Sequence, residues 1–118
     1  MKTKELIEQL NNAADSVSFS QTMKTIESDY NYTPARFTNG KGETIAVNDA
    51  GTNEGSCKIF AFAQLNELDK ELTLQCFGDY YRIDVLLNPE GNDHANIRNF
   101  MIHGWDGIQF DSVALSIK

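Results

Sequence analysis

Cys57, His94 and Asp93 are the residues whose types suggest chemistry most directly. Cys57 lies where a helix is expected to begin, and the dipole and free amides of a helix start stabilise a thiolate. His94 supplies a base and Asp93 a carboxylate to orient it, with His103 and Asp106 as substitutes. Together they would make a cysteine hydrolase. Cys57 also opens an apolar helix, in which a small buried side chain packs readily, so its structural role is the expected one. No catalytic residue is assigned on this basis.

Metal and phosphate chemistry find less support. Asp93, His94 and His103, with Asp79 or Glu90, are the ligand types available. Adjacent Asp93 and His94 leave a helix on different sides, and the spacing from His94 to His103 puts those two on opposite faces. No H-E-x-x-H frame occurs, and neither cysteine sits in a C-x-x-C pair. No metal or other cofactor is expected. The loop from Gly51 to Ser56 could offer amides to an anion. It lacks the G-x-x-x-x-G-K-[ST] pattern, and Glu54 opposes an anion. Thr52, Asn53 and Ser56 are expected instead to cap the helix that follows.

The polar segments Asn48–Ser56 and Asp93–Asn99 flank strongly apolar ones. Polar groups beside a core must be hydrogen-bonded. An economical solution packs the loop against the start of a later helix, with Asn53, Asp93, His94 and Asn96 sharing hydrogen bonds. The edge of that contact is then the expected ligand cleft. Ser56 and Arg98 complete the candidate ligand-binding set. A second polar run, Asp79, Tyr80, Tyr81, Arg82 and Asp84, has an ion-pair spacing between Asp79 and Arg82. With Arg98 and Trp105 it could form a recognition surface, although Tyr80 and Trp105 read first as core residues with satisfied polar tips.

The elements that must position these residues follow from periodicity. A first helix is expected from about Lys4 to Ala14, with Thr3 as its cap and Leu6, Ile7 and Leu10 on one face. Ser18 and Gln21 have capping-box spacing for a second helix, whose stripe is Phe19, Met23, Ile26 and Tyr30. Pro34 forbids its continuation. Thr38–Gly42 is turn chemistry between two short strands. A third helix, over about 56–66, is apolar on most sides and is expected at the centre. Asp69 caps a fourth, long helix with inner residues Leu72, Cys76, Tyr80, Ile83 and Leu87, stopped at Asn88–Gly91. Asn92 or Asp93 caps a fifth, with Ile97, Phe100 and Met101 inward and Gly104 at its end. Period-two alternation then marks strands at Ile108, Phe110, Val113, Leu115 and Ile117. The expected fold is α+β: about five helices around the buried central one, with a small antiparallel sheet from residues 36–47 and 108–117, in a single domain over 1–118.

Composition narrows the partners. A hydrophobic fraction of 41% and a charged fraction of 23% describe a globular chain. Ten Lys and Arg against seventeen Asp and Glu leave a net charge of −7, with the cations scattered. Such a field repels polyanions, so neither nucleic acid nor an anionic membrane is an expected partner. No spanning segment or secretory signal is visible. Cys57 and Cys76 are expected as reduced thiols, with Cys76 buried.

Two long segments carry a family resemblance. One is Asn48-Asp49-Ala50-Gly51-Thr52-Asn53-Glu54-Gly55-Ser56-Cys57-Lys58-Ile59-Phe60-Ala61-Phe62-Ala63. The other runs from Cys76-Phe77-Gly78-Asp79-Tyr80-Tyr81-Arg82 through Asn88-Pro89-Glu90-Gly91 and Asp93-His94-Ala95-Asn96-Ile97-Arg98-Asn99-Phe100-Met101 to Gly104-Trp105-Asp106-Gly107-Ile108. Both resemble the HopJ type III effector family, which is named for proteins that bacteria deliver into host cells. The resemblance implies synthesis in the bacterial cytoplasm and, where the family name holds, type III secretion into a host. It brings no catalytic residues. The expected function is effector-type binding of a host or bacterial protein or a small ligand. The alternatives are a small intracellular enzyme and a ligand-binding housekeeping protein.

Overall fold

The computed structural model describes residues 2–118. Its helices are α1 (Lys2–Ala13), α2 (Phe19–Asp29), α3 (Glu54–Leu65), α4 (Lys70–Gln75), a π-helical turn (Tyr80–Val85) and α5 (Ala95–His103). Its strands are β1 (Tyr30–Tyr32), β2 (Phe37–Asn39), β3 (Ala46–Asn48), β4 (Ile108–Phe110) and β5 (Leu115–Ile117). The fold is α+β. The most apolar stretch of sequence lies at its centre, for α3 buries Cys57, Ile59, Phe60, Ala61, Phe62 and Ala63. Phe60 is the hub. Its ring centroid lies 4.9 Å from that of Phe100, 5.6 Å from Phe77, 5.8 Å from Phe37 and 6.3 Å from Trp105. Edge and tilted pairs at such distances add to the apolar burial that drives closure.

The strands form two antiparallel sheets rather than the expected single one: β1 with β5, and β3-β2-β4. β1 is an element that periodicity missed, since Tyr30 falls on the helical stripe of α2 yet is the first strand residue. Tyr30 pairs with Ile117, and Phe37 pairs with Phe110 in the same register. The two sheets are thus one ribbon with an interruption at Pro34. Thr33 N–H to Ala114 O (2.8 Å) and Asp111 N–H to Arg36 O (3.0 Å) bracket the gap. Across the gap the bonded positions change from odd residues (Thr33) to even ones (Arg36), and Pro34, which has no amide to give a ladder, lies in that change of phase.

Several helix starts differ from expectation: distant groups take the side chains expected to cap α1 and α2, and those of α3 and α5 have no side-chain cap. Thr3 lies inside α1, and both its amide (2.8 Å) and hydroxyl (2.5 Å) donate to the Asp29 carboxylate at the far end of α2. Ser18 caps α2 by accepting from the Gln21 amide at 3.0 Å. The Gln21 side chain bonds Gln9 instead of completing the capping box. Asn53, not Ser56, occupies the N-cap of α3, and no side chain caps that start. At α5 the N-cap is His94 rather than Asn92 or Asp93, again without a side-chain cap, while Gly104 ends the helix as expected.

The expected long fourth helix is broken. Asp69 caps α4 through Leu72 N–H at 2.8 Å, but the chain turns at Gly78, where φ is +61°. A Cβ on Gly78 would lie 2.6 Å from the Phe19 amide nitrogen. Glycine there lets the start of α2 rest directly on the turn, and its left-handed backbone rotates everything downstream. The chain resumes as a π turn, with Leu86 N–H reaching Tyr81 O at 2.9 Å. Tyr81 and Val85 become the buried residues, whereas Tyr80, Ile83 and Leu87 are exposed. Among the described residues no helix is long and apolar enough to cross a membrane.

Candidate ligand-binding cleft

The loop after β3 and the start of α5 meet, and asparagines join them. Asn96 on α5 is the centre. Its carbonyl side-chain oxygen accepts from Asn39 Nδ2 and Asn48 Nδ2, both at 3.1 Å, and its Nδ2 donates to Asn48 Oδ1 at 2.9 Å. Asn53 Nδ2 donates to the same Asn48 oxygen at 2.7 Å. Asn99, one turn along α5, donates to Asn39 O at 3.1 Å and Thr44 O at 2.7 Å. Asn39, Asn48, Asn96 and Asn99 are all buried. Buried amides need such partners to offset lost hydration, so the network locks β2, β3, the loop and α5 in one arrangement.

Beside this network opens a cleft of about 580 Å³. Asn48, Asn53, Ser56, His94 and Asn96 form its polar wall, and Phe19, Phe77, Tyr80 and Ile97 much of its apolar one. Phe19 and Tyr80 meet edge to face at 5.0 Å, and the His94 ring follows at 5.4 Å from Tyr80. His94 Nε2 is held 3.1 Å from Asp84 Oδ2. The starts of α3 and α5 border the same space. Their first intrahelical donors are Cys57 N–H and Arg98 N–H, so the amides of Gly55, Ser56, Asn96 and Ile97 precede the ladder. Asn53 and His94, which begin the two helices, both adopt left-handed backbone, with φ of 49° and 51°. Free amides attract acceptors, while Glu54 in the first turn of α3 disfavours a charged one. The combination suits neutral carbonyl groups alongside apolar surface.

The family model of the HopJ type III effector proteins matches residues 3–115. The chain belongs to the HopJ family. It is also similar to a solved structure described as the crystal structure of unknown function protein VPA0580, with 54% identity and a TM-score of 0.94, over 100% of this chain and 95% of that one. No curated protein matches the sequence.

In this HopJ chain the candidate residues divide. Asn53, Ser56, His94 and Asn96 come together on the cleft. Asp93 and Arg98 pair with each other at 2.6 Å, and Arg98 Nη1 also donates to Asn88 O at 3.0 Å. The Arg98 hydrogen bond holds the Asp93 carboxyl below its ordinary range. Arg98 lines a separate apolar hollow with Leu86, Pro89, Met101 and Ile102. Cys57 is buried with its thiol on Ala35 O at 3.7 Å, and burial pushes its pKa up. Cys57 is not among the residues lining the cleft that holds His94. Cys76 is likewise free and buried, its pKa pushed up by burial to about 12.

The second polar run disperses. Arg82 does not pair with Asp79; its guanidinium donates to Val17 O and to Gln75 Oε1 at 2.6 Å. Trp105 packs on Phe60 and Phe100 and donates Nε1–H to Leu68 O at 3.0 Å. Sequence reasoning missed Phe19, Ala46, Val47 and Phe77 as walls of the cleft. One visible signal was Gly55 in the first turn of α3: a Cβ there would lie 2.8 Å from Phe19 Cζ, so the glycine marks a close approach. Among the described residues no His, Cys, Asp and Glu cluster suits a metal ion.

Proposed function

We propose that this HopJ protein works by binding rather than catalysis, and that its ligand occupies the cleft between the 48–56 loop and α5. The observation that carries this reading is the convergence of Asn53, Ser56, His94 and Asn96 with Phe19 and Tyr80 on one open cleft of about 580 Å³. That volume lies within the ~300–1,000 Å³ usual for ligand pockets, and the lining divides about evenly between apolar rings and fixed polar groups. The ligand class is one with neutral hydrogen-bond acceptors and apolar surface. A binding role also accommodates Cys57, because a buried thiol with a raised pKa is a poor nucleophile at neutral pH.

Amide chemical-shift mapping of the full-length chain against a library of small carbonyl-containing fragments tests this. The expected result is that binding fragments move the amides of Val47, Asn53–Ser56 and His94–Ile97. Fragments that bind but shift amides on another face would overturn the assignment, as would a library without a binder. Family membership further supports delivery as a type III effector. A reporter fused to residues 1–20 should then be translocated only when a type III apparatus is present, and retention of both reporter and full-length protein would contradict delivery.

A further inference from the structure

The cleft has a wall that its side chains do not explain. β3 is an edge strand, paired on one side only, with β2. In an antiparallel ladder the backbone groups of alternate residues point to opposite sides of a strand. On β2, Gly40 N–H to Gly107 O, and Arg36 O to Asp111 N–H, show that even-numbered residues face β4. Phe37 and Asn39 therefore face β3, where their partners are Asn48 and Ala46. The amide and carbonyl of Val47, one residue out of phase, point away from the sheet. The Ile45 carbonyl and the Asp49 amide share that direction. Among the described residues no turn, loop or side-chain hydrogen bond reaches these four groups. Ala46, Val47 and Asn48 all line the cleft, so this unpaired edge borders it.

We propose, resting on the binding reading above, that the cleft takes an extended, basic peptide segment of a partner protein, which adds to the outer edge of β3 as a further strand. Main-chain pairing with Val47 supplies two hydrogen bonds and sets the register, and Ile45 O and Asp49 N–H extend it. Alternate peptide side chains then reach the apolar wall of Phe19, Tyr80 and Ile97. The charge of the site selects the partner. No lysine or arginine lines the cleft among the described residues, while Glu54 and Asp79 adjoin lining residues in sequence, Asp84 sits 3.1 Å from the His94 ring, and Asp49, with Arg36 at 4.0 Å, follows Asn48. Positively charged peptide side chains complement that rim. A second copy of this chain, at net −7, is disfavoured by the same field.

The test begins with a displayed library of random linear peptides selected on the full-length protein, and a synthetic copy of an enriched sequence. Binding should slow hydrogen exchange at the Val47 and Asp49 amides. Val47→Pro removes the donor while keeping an extended backbone, which an outward-facing edge position accepts. It should weaken the peptide by about tenfold or more, the loss of roughly 1.4 kcal/mol expected for broken main-chain pairing. Val47→Thr, which keeps the amide, should lose much less affinity than Val47→Pro. Unchanged affinity in a folded Val47→Pro protein would overturn the proposal. So would a bound peptide that leaves the Val47 and Asp49 amides unprotected, a reading that does not depend on the variant folding. A library yielding no enriched peptide also counts against it. If fragments shift the cleft amides while no peptide protects Val47, the peptide inference fails and the binding reading stands. If neither engages the cleft, both fail.

Discussion

Replacing Asn96 with alanine should destabilise the fold several times more than replacing Asn53. The Asn96 side chain makes three hydrogen bonds, at 3.1, 3.1 and 2.9 Å, with two other buried asparagines. Each is worth about 1 kcal/mol net, for a total of about 3 kcal/mol. The cost stays near that figure because partners keep other contacts: Asn39 Nδ2 retains Asn96 O at 2.8 Å, and Asn48 Oδ1 retains Asn53 at 2.7 Å. Asn53 is exposed and gives the network one bond, so Asn53→Ala should cost about 0.5–1 kcal/mol. Urea denaturation measures both. With a slope of roughly 1–3 kcal/mol per molar, Asn96→Ala should lower the midpoint by about 1 M or more. An Asn48→Ala, Asn96→Ala double-mutant cycle should show at least about 1 kcal/mol of coupling. An Asn96→Ala loss no larger than that of Asn53→Ala would refute the view that this network fixes the cleft.

Three further outcomes follow from the helix ends and thiols. The Thr3 hydrogen bonds hold the Asp29 carboxyl below its ordinary pKa, so its stabilisation is present above about pH 4 and lost as pH falls toward the lower folded value; Asp29→Asn should remove that part of the acid dependence in pH-resolved denaturation. Both thiols are buried with raised pKa values, so iodoacetamide near pH 8 should label neither until denaturant is added, and rapid labelling of Cys57 in the native protein would reopen the nucleophile reading. Gly78→Ala puts a Cβ 2.6 Å from the Phe19 amide nitrogen at φ +61° and should cost more than about 2 kcal/mol by calorimetry, since left-handed strain alone contributes about 1–2.

What the sequence revealed depended on whether the controlling contact was local. α3 was legible because a helix apolar on most sides has only one place to go. Ser18, Asp69 and Gly104 act on their own helix ends, so local pattern alone identifies them. The break at Gly78 was not, because Cys76 and Phe77 carry an apolar pattern up to it, and the reason for the glycine is the backbone of α2 resting on it. Thr3 looked like a cap because its true partner, Asp29, belongs to another helix. β1 was hidden for the same reason: Tyr30 fits a helical stripe, and only the distant β5 makes it a strand. At the cleft, the need of buried amides for partners was enough to bring the 48–56 loop to α5. It did not reveal Phe19 or Val47, which contribute a ring and a strand edge without any polar signature. Asp93 beside His94 looked like part of the site; one of its oxygens pairs with Arg98 at 2.6 Å while the other stays 4.0 Å from His94 Nε2, and Asp93 itself does not line the cleft.

The most direct test of the cleft as the functional site is to fill it. Ser56 lines the cleft within the first turn of α3, so Ser56→Trp should project an indole into it while leaving the asparagine network intact. Isothermal titration of the tightest fragment from shift mapping, with the parent and with a Ser56→Trp protein of unchanged circular dichroism, decides the matter. The account predicts that binding to the variant falls by at least about tenfold, a loss of roughly 1.4 kcal/mol. An affinity equal to the parent's would place the ligand elsewhere and contradict it.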